Sequence, residues 1–319
     1  MTIIDNNEVL AGNPTIIQKA NFALSQLVSD GGLLYPLQAQ KFMRLATIEA
    51  ELLKLTTYRP MKRVKEDIDQ IKFGSRVLRP YGEFVAMPEA DRATPDLSKV
   101  QLETKKFAGE VELSEDVLDQ NIEQGELRQT LMQLLAPAAG RDLEEVVING
   151  DTASPDTFLA QFDGVLKQAT SNVVDAVGAP LSKDLFNQAM RTLPQRYRKN
   201  KRELRFFTAS NAELFYRNVL ADRESAAGDK YLETDTPILA AGVPVVGLSQ
   251  VPDDLGGGSD QTVVLLTHPK NIIVGVHREV KLDWEEIKRT SSIRIYVKLS
   301  ACVAYSEESA AVKIINVAI

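Results

Sequence analysis

The chain has 319 residues, 44% of them apolar, enough for one large core or two modest ones; a net charge of −7 with a pI near 5.2 excludes a surface that grips nucleic acid over its whole extent. A single cysteine, Cys302, excludes an internal disulfide, and with only His268 and His277 beside it a structural zinc site lacks ligands. The opening MTIIDNNEVL lacks the regions of a secretory signal and no run approaches the ~20 apolar residues that span a bilayer, so a cytoplasmic protein is expected.

Residues 1–14 are mostly polar. Ile16, Ile17, Ala20, Ala23, Leu24, Leu27 and Val28 then form a short amphipathic helix stopped by Asp30, Gly31 and Gly32. A second helix follows Pro36, carries Phe42, Leu45, Ile48, Leu52 and Leu53, and ends near Tyr58. From Met61 to about Lys106 the runs are short, charged and punctuated by Gly74, Pro80, Gly82, Pro88 and Pro95. Such a segment has little to bury, so an extended hairpin lying on another molecule is expected, returning through the alternating strand Lys106–Leu113.

Ser114 and Asp116 suit a helix cap. Glu126 to Asp151 reads as one long helix whose stripe of Leu127, Leu131, Leu134, Leu135, Ala138, Leu143, Val146 and Val147 faces a sheet. Pro137 is expected to kink it, and Asn149, Gly150 and Asp151 to stop it in left-handed and turn conformations. After a linking turn at Phe162–Val165, the pattern predicts a helix over Lys183–Leu193 capped by Ser182, a strand at Leu204–Thr208, a helix at Ala212–Leu220 and a polar loop over residues 221–236. Ile238–Leu248 reads as a strand pair split by Gly242-Val-Pro, and 253–260 as a turn. Strands follow at Thr262–Thr267, Ile272–Val276 and Ile293–Leu299, and the end, 301–304 with 310–317, as one more hairpin. Helices mixed with mainly antiparallel strands predict an α+β class.

Tests for chemistry fail one after another. Gly242 to Gly247 has phosphate-loop spacing, but Leu248 stands where the lysine belongs. Cys302 lies in an apolar run, and neither histidine has a matching serine or aspartate signature. Asp142, Glu144 and Glu145 read as the solvated face of the long helix. The dense basic cluster is Arg196, Arg198, Lys199, Lys201, Arg202 and Arg205, with Tyr197 among them. Phosphate attraction is one reading of it; a solvated link, or a contact with an acidic neighbouring subunit, suits an acidic protein better. Arg79, Glu83, Glu89 and Arg92 are placed for salt bridges across an interface.

The order of segments carries a resemblance. KKFAGEVELSEDVLDQ, a long helix ending NGD, then ILAAGVPVVGLSQVP, NIIVGVHREVKLDWEE and SSIRIYVKLSACVAY together resemble the major capsid protein of tailed phages, with the Hong Kong 97-like fold, over nearly the whole chain. The resemblance implies an N-terminal arm at 1–30, a peripheral domain of 31–60 with 106–163 and 270–300, an extended loop at 61–105, and an axial domain of 164–269 with 301–319. It further implies a structural protein without catalysis, cofactor or metal, self-assembled as pentamers and hexamers into an icosahedral virion shell around double-stranded DNA bound without sequence specificity. Arg79, Glu83, Glu89, Arg92, Arg196, Arg198 and Lys199 become inter-subunit contacts. Portal and decoration proteins are expected partners, membranes are not, and assembly belongs in the host cytoplasm. With some sixty residues before the loop there is no room for a built-in scaffold, so either a separate one or an already processed sequence is expected. No Lys and Asn can be matched to the family's cross-link. An encapsulin-type nanocompartment shell is the alternative, and a cytosolic enzyme without a motif ranks below it.

Overall fold

In the computed structural model, residues 50–73, 76–78, 88–89, 92–114, 127–221, 237–258, 260–277, 281–287, 289 and 292–319 are described. The expected helix at Ile16–Val28, most of the one after Pro36, and the loop of 222–236 lie outside them. The described residues mix helices with three sheets and fall into two compact units.

One unit holds residues 106–114, 127–139, 281–289 and 292–300. Strand β12 (Ser292–Tyr305) pairs antiparallel with β11 (Lys281–Ile287), from Lys281↔Lys298 to Ile287↔Ser292, and also pairs with β4 (Lys105–Ser114). Ser114 is the last residue of β4, and the helical region expected to follow it lies outside the described residues. Glu110 and Glu112 are two residues apart, so they share a strand face. Arg294 bridges both, at 3.4 and 3.1 Å, and Ser292 donates to Glu112 at 2.6 Å.

The other unit holds residues 50–105, 140–277 and 301–319. Its first helix, α1 (Glu51–Leu55), ends before Tyr58, which belongs to β1 (Thr57–Met61). β1 runs parallel to β10 (Ile272–His277), and β10 pairs antiparallel with the last residues of β12, Ile272↔Tyr305 to Val276↔Ala301. Met61, Ile273 and Cys302 on these strands form a buried cluster with Leu102.

A six-stranded sheet completes the unit: β5 (Val173–Asp175), β13 (Val312–Ala318), β9 (Gln261–Thr267), β6 (Arg205–Ala209), β8 (Val243–Leu248) and β7 (Leu239–Ala240), in that order. Continuous apolar runs such as Val263–Leu266 and Phe206–Phe207 are buried on both faces, as central strands covered on two sides require. Helix α4 (Lys183–Thr192), capped by Ser182 through Leu185 N at 3.3 Å, meets α5 (Ser210–Ala221) where Phe186 stands edge-on to Phe206 and Tyr216, with centroids 4.7 and 4.9 Å apart. A short helix α3 (Val165–Gln168) lies between β4 and β5 in the chain.

The final hairpin expected from 301–304 with 310–317 does not form: β12 ends in the first sheet and β13 joins the second. The turn between them diverts the chain, because Ser306 N and Glu307 N donate to Asn271, at 2.7 and 2.8 Å, rather than across a hairpin.

The long helix α2 (Leu127–Asn149) contains Pro137 without interruption. Leu143, Val146 and Val147 are buried as its stripe predicts, and Ile148, outside the stripe, is buried as well, but Leu134 is exposed. The exit is not left-handed either, since no residue from Asn149 to Asp151 has positive φ. Gly150 is needed there for close approach: a Cβ would lie 2.3 Å from Phe162 O. Positive φ occurs instead at Val177 (52°) and Gly178 (75°), in a turn whose Val177 side chain is 85% exposed. A β-branched residue in that region costs about 1 kcal/mol, so Val177→Asn is expected to raise the denaturation midpoint of the unassembled subunit. An unchanged or lower midpoint would contradict the strain.

Candidate assembly surfaces

The segment expected as an extended hairpin contains β2 (Lys65–Lys72) paired antiparallel with β3 (Asp96–Glu103), from Lys65↔Glu103 to Lys72↔Asp96. The return strand is thus β3, not Lys106–Leu113, because Thr104 N and Oγ1 both donate to Val64 O (2.9 and 3.2 Å) and close the ladder one residue before β4 begins.

Strand periodicity gives β2 two faces. On the inner one, Glu66 accepts from Arg59 at 2.6 Å, Ile68 packs on the Met61 cluster, Gln70 Nε2 donates to Ser306 O at 2.7 Å, and Lys72 pairs with Glu307. The outer face begins with charge: Lys65–Glu103 at 2.7 Å and Asp69–Lys99 at 3.7 Å. It then turns apolar, with Ile71 (67% exposed) opposite Leu97 (75%), and with Phe73, Val77 and Leu78 exposed beyond. Water covers the apolar half of this face in the lone subunit.

The turn at Ser306–Ser309 gathers the inner face and the basic loop. Glu307 takes Lys72, Ser309 Oγ at 2.8 Å and Arg196 at 3.8 Å, while Glu308 accepts from Thr170 N and Ser171 N, both at 2.7 Å. Burial raises the pKa of Glu307, but hydrogen bonds from Lys72 and Ser309 and the charges of Lys72 and Arg196 outweigh it and leave the carboxyl below its ordinary 4.5. A lowered folded pKa contributes stability that is present above 4.5 and lost as pH falls through the folded value. Amide exchange in β2 is therefore expected to accelerate in that acid window, and Glu307→Gln to remove most of the acceleration; an identical acid response in the variant would show that Glu307 does not hold the hairpin.

Of the residues singled out from the sequence, Arg79 and Glu83 lie outside the described residues. Glu89 and Arg92 form an exposed pair at 3.5 Å. Arg196 stands 4.6 Å over the Tyr197 ring and donates to Ser309 Oγ at 3.2 Å. Arg198 donates to Leu193 O and Arg191 O, at 2.6 and 2.7 Å, and Lys199 is exposed. Gln70, Lys72 and Glu307 escaped sequence reasoning, although the alternation in KEDIDQIK carries the signal for the first two.

The tested chemistry has structural uses. Cys302 Sγ sits 3.8 Å from Met61 Sδ, and burial pushes its pKa to about 11, so a thiolate is suppressed at neutral pH. His268 Nδ1 accepts from Lys270 N at 3.0 Å and Nε2 faces Glu203 at 3.2 Å. Ala241 and Gly242 form the positive-φ turn between β7 and β8, not a phosphate cradle. Glu144 corrects its expected place on a solvated face: it is 2% exposed and accepts from Glu51 N (3.0 Å) and Leu52 N.

Comparison with known proteins places the chain in a family. The model of the phage capsid family matches residues 31–312. The chain belongs to the phage capsid family. This capsid protein is 36% identical over 309 residues to YqbE of Bacillus subtilis (strain 168), which is named as a prophage capsid protein, covering 96% of this chain and 99% of that one. Its fold is similar to a chain of the satellite phage P4 procapsid with size determination protein, at a TM-score of 0.66 and 13% identity, covering 96% and 98% of the two chains. It is also similar to the capsid of the empty GTA particle, at 0.64 and 16%, covering 85% and 90%. The capsid protein therefore has the Hong Kong 97-like α+β fold and is a structural, non-enzymatic subunit of a phage head shell made of many copies, located in the virion. The phage head prevails over the encapsulin alternative on the family match. Among the described residues no helix is long and apolar enough to cross a membrane.

Proposed function

We propose that this capsid protein closes an icosahedral shell of pentamers and hexamers around the double-stranded DNA of a tailed phage, with residues 61–105 as an extended loop laid on a neighbouring subunit. The observation that carries the reading is the outer face of β2 and β3: charged pairs at its base, then Ile71 and Leu97 exposed opposite each other, with Phe73 and Leu78 exposed in the residues after β2. Apolar side chains grouped on one strand face are stable in water only at a cost, and an adjoining copy removes it. Glu89 and Arg92, exposed beside each other, with Arg79 and Glu83, supply charges for the rim of that contact.

The rest of the subunit is assigned on the same reading: an N-terminal arm at 1–30, a peripheral domain of 31–60, 106–163 and 270–300, and an axial domain of 164–269 and 301–319 around the five- and six-fold axes. Net charge of −7 suits a container that holds a polyanion without gripping it. A separate scaffold, a portal and decoration proteins complete the assembly. Repetition supports it, because many modest contacts multiply in a closed shell.

The test is Ile71→Lys with Leu97→Asp, which sets opposite charges across the strand pair. Both side chains are exposed in the subunit, so its thermal midpoint should move by the equivalent of about 0.5 kcal/mol or less. Shells counted by electron microscopy should nevertheless be lost. Normal shell numbers from the double variant would refute the loop's place on a neighbour.

A further inference from the structure

We propose that the basic loop Gln195–Arg205 of one copy docks head-to-tail on the acidic loop Asp253–Asp260 of a second copy. The proposal rests on the shell reading above and names the partner surface for Arg196, Arg198 and Lys199.

The first observation is uncompensated charge. Residues 195–205 carry six cations and one carboxylate, a formal net of +5. The carboxylate, Glu203, is occupied by His268 at 3.2 Å and Asn200 at 3.3 Å. Among the described residues only Arg196 of the six cations has an ion pair, with Glu307 at 3.8 Å, and Lys72 shares that carboxylate. Arg198 and Arg205 donate to backbone carbonyls, Leu193 O at 2.6 Å and Leu204 O at 2.8 Å, which fixes the loop without neutralising it. Lys199, Lys201 and Arg202 are exposed. Like charges held this close repel, and an opposite surface relieves them.

The second observation is where the opposite charge lies. β6 runs parallel to β8, from Phe206↔Val245 to Ala209↔Leu248, and antiparallel to β9, with Arg205↔Thr267. The loop that leads into β6 therefore sits where β8 begins and β9 finishes, whereas residues 249–260, which leave β8 and lead into β9, sit at the opposite end of the same strands. Five strand residues at ~3.3 Å each separate the two ends by about 16 Å. Residues 249–260 contain Asp253, Asp254 and Asp260 and no cation, a formal net of −3. Asp254 and Asp260 are exposed, while Asp253 accepts from Asn211.

Complementary charges at opposite ends of one sheet constrain the symmetry of the contact. Two arrangements set +5 on −3, a two-fold dimer that crosses the loops and a head-to-tail contact that generates rings when its rotation closes; the pentamers and hexamers proposed above require the second. DNA fits less well as the occupant, because the Arg198 guanidinium spends Nε and Nη2 on carbonyls and does not present that edge for bidentate phosphate.

The experiment compares four full-length chains by sedimentation and negative-stain imaging at about 0.15 M salt: native; Lys199→Glu with Lys201→Glu and Arg202→Glu; Asp254→Lys with Asp260→Lys; and all five together. Each partial reversal should lower the assembled fraction about tenfold, and the five-fold variant should return to within about twofold of native. A five-fold variant that is folded by circular dichroism yet assembles no better than the basic reversal overturns the proposal. So does a basic reversal that assembles normally and loses only bound DNA, or rescue of it by reversing the acids of 222–236 in place of Asp254 and Asp260. Failure of the native chain to assemble even when the scaffold and portal of its own phage are co-expressed would refute the shell reading instead.

Discussion

Gly150→Ala is expected to destabilise the subunit by about 3 kcal/mol or more, among the larger effects a single methyl group produces. Its Cβ would stand 2.3 Å from Phe162 O, 2.6 Å from Val146 O and 3.1 Å from Gly164 N, all backbone atoms with no rotamer to give way. These atoms belong to a clasp at the end of α2. Gly150 N donates to Val146 O at 2.9 Å, Gly164 N donates to Gly150 O at 2.8 Å, and Asp151 N donates to Leu159 O at 3.0 Å, so the helix end and the following loop are locked together. Gly164 faces the same crowding, with a Cβ 2.6 Å from Ile148 O. Gly164→Ala should therefore behave alike, whereas Gly109→Ala, with nothing within 4 Å, should change stability by only a few tenths of a kcal/mol. The measurement is the denaturant midpoint of unassembled chains. Equal midpoints for the Gly150 and Gly109 variants would show that the clasp yields without cost.

Glu144→Ala is expected to cost about 3 kcal/mol. The carboxylate, on the long helix, accepts from Glu51 N and Leu52 N and thereby supplies the cap that Ala50 cannot give to α1. Leu52 is buried, so its N–H would be left without water as well as without a partner. Glu144→Gln keeps one acceptor oxygen but turns an amide donor toward a donor, and should cost about half as much. Burial raises the Glu144 pKa above its ordinary 4.5, with the hydrogen bonds from Leu52 and Glu51 pulling the other way without overcoming it. Between 4.5 and the raised value the folded chain holds a proton that the unfolded chain has released, so this group's contribution to stability falls as pH rises through that window. The advantage of the native chain over Glu144→Gln should shrink correspondingly from pH 4.5 upward. A difference that is flat with pH, or that grows, would mean the carboxyl is not desolvated. Glu307 has the opposite sign, which makes Glu144 a poor trigger for acid-induced loosening and Glu307 a good one.

Local chemistry was legible in the sequence wherever the cause lies within a few residues. Ser182 caps Lys183–Thr192 because a hydroxyl three residues before a free N–H is all that is needed. The Ala241–Gly242 turn and the buried strand Gln261–Thr267 follow from glycine between apolar runs and from β-branched content. Composition and segment order also sufficed for the α+β class and the capsid family. Only the tertiary structure decided that the hairpin returns through Asp96–Glu103, that β12 and β13 belong to different sheets, that Gly150 answers to Phe162 O, and that Glu144 is a buried cap. The partners lie beyond the reach of local pattern, from 12 residues between Gly150 and Phe162 to 92 between Leu52 and Glu144, and 236 between Gln70 and Ser306 of the hairpin's inner face. Helical and strand periodicity report which side of an element is apolar, but the identity of the atoms that meet it is set by packing, where backbone close approach and desolvated charge exist only once the distant segments are in place.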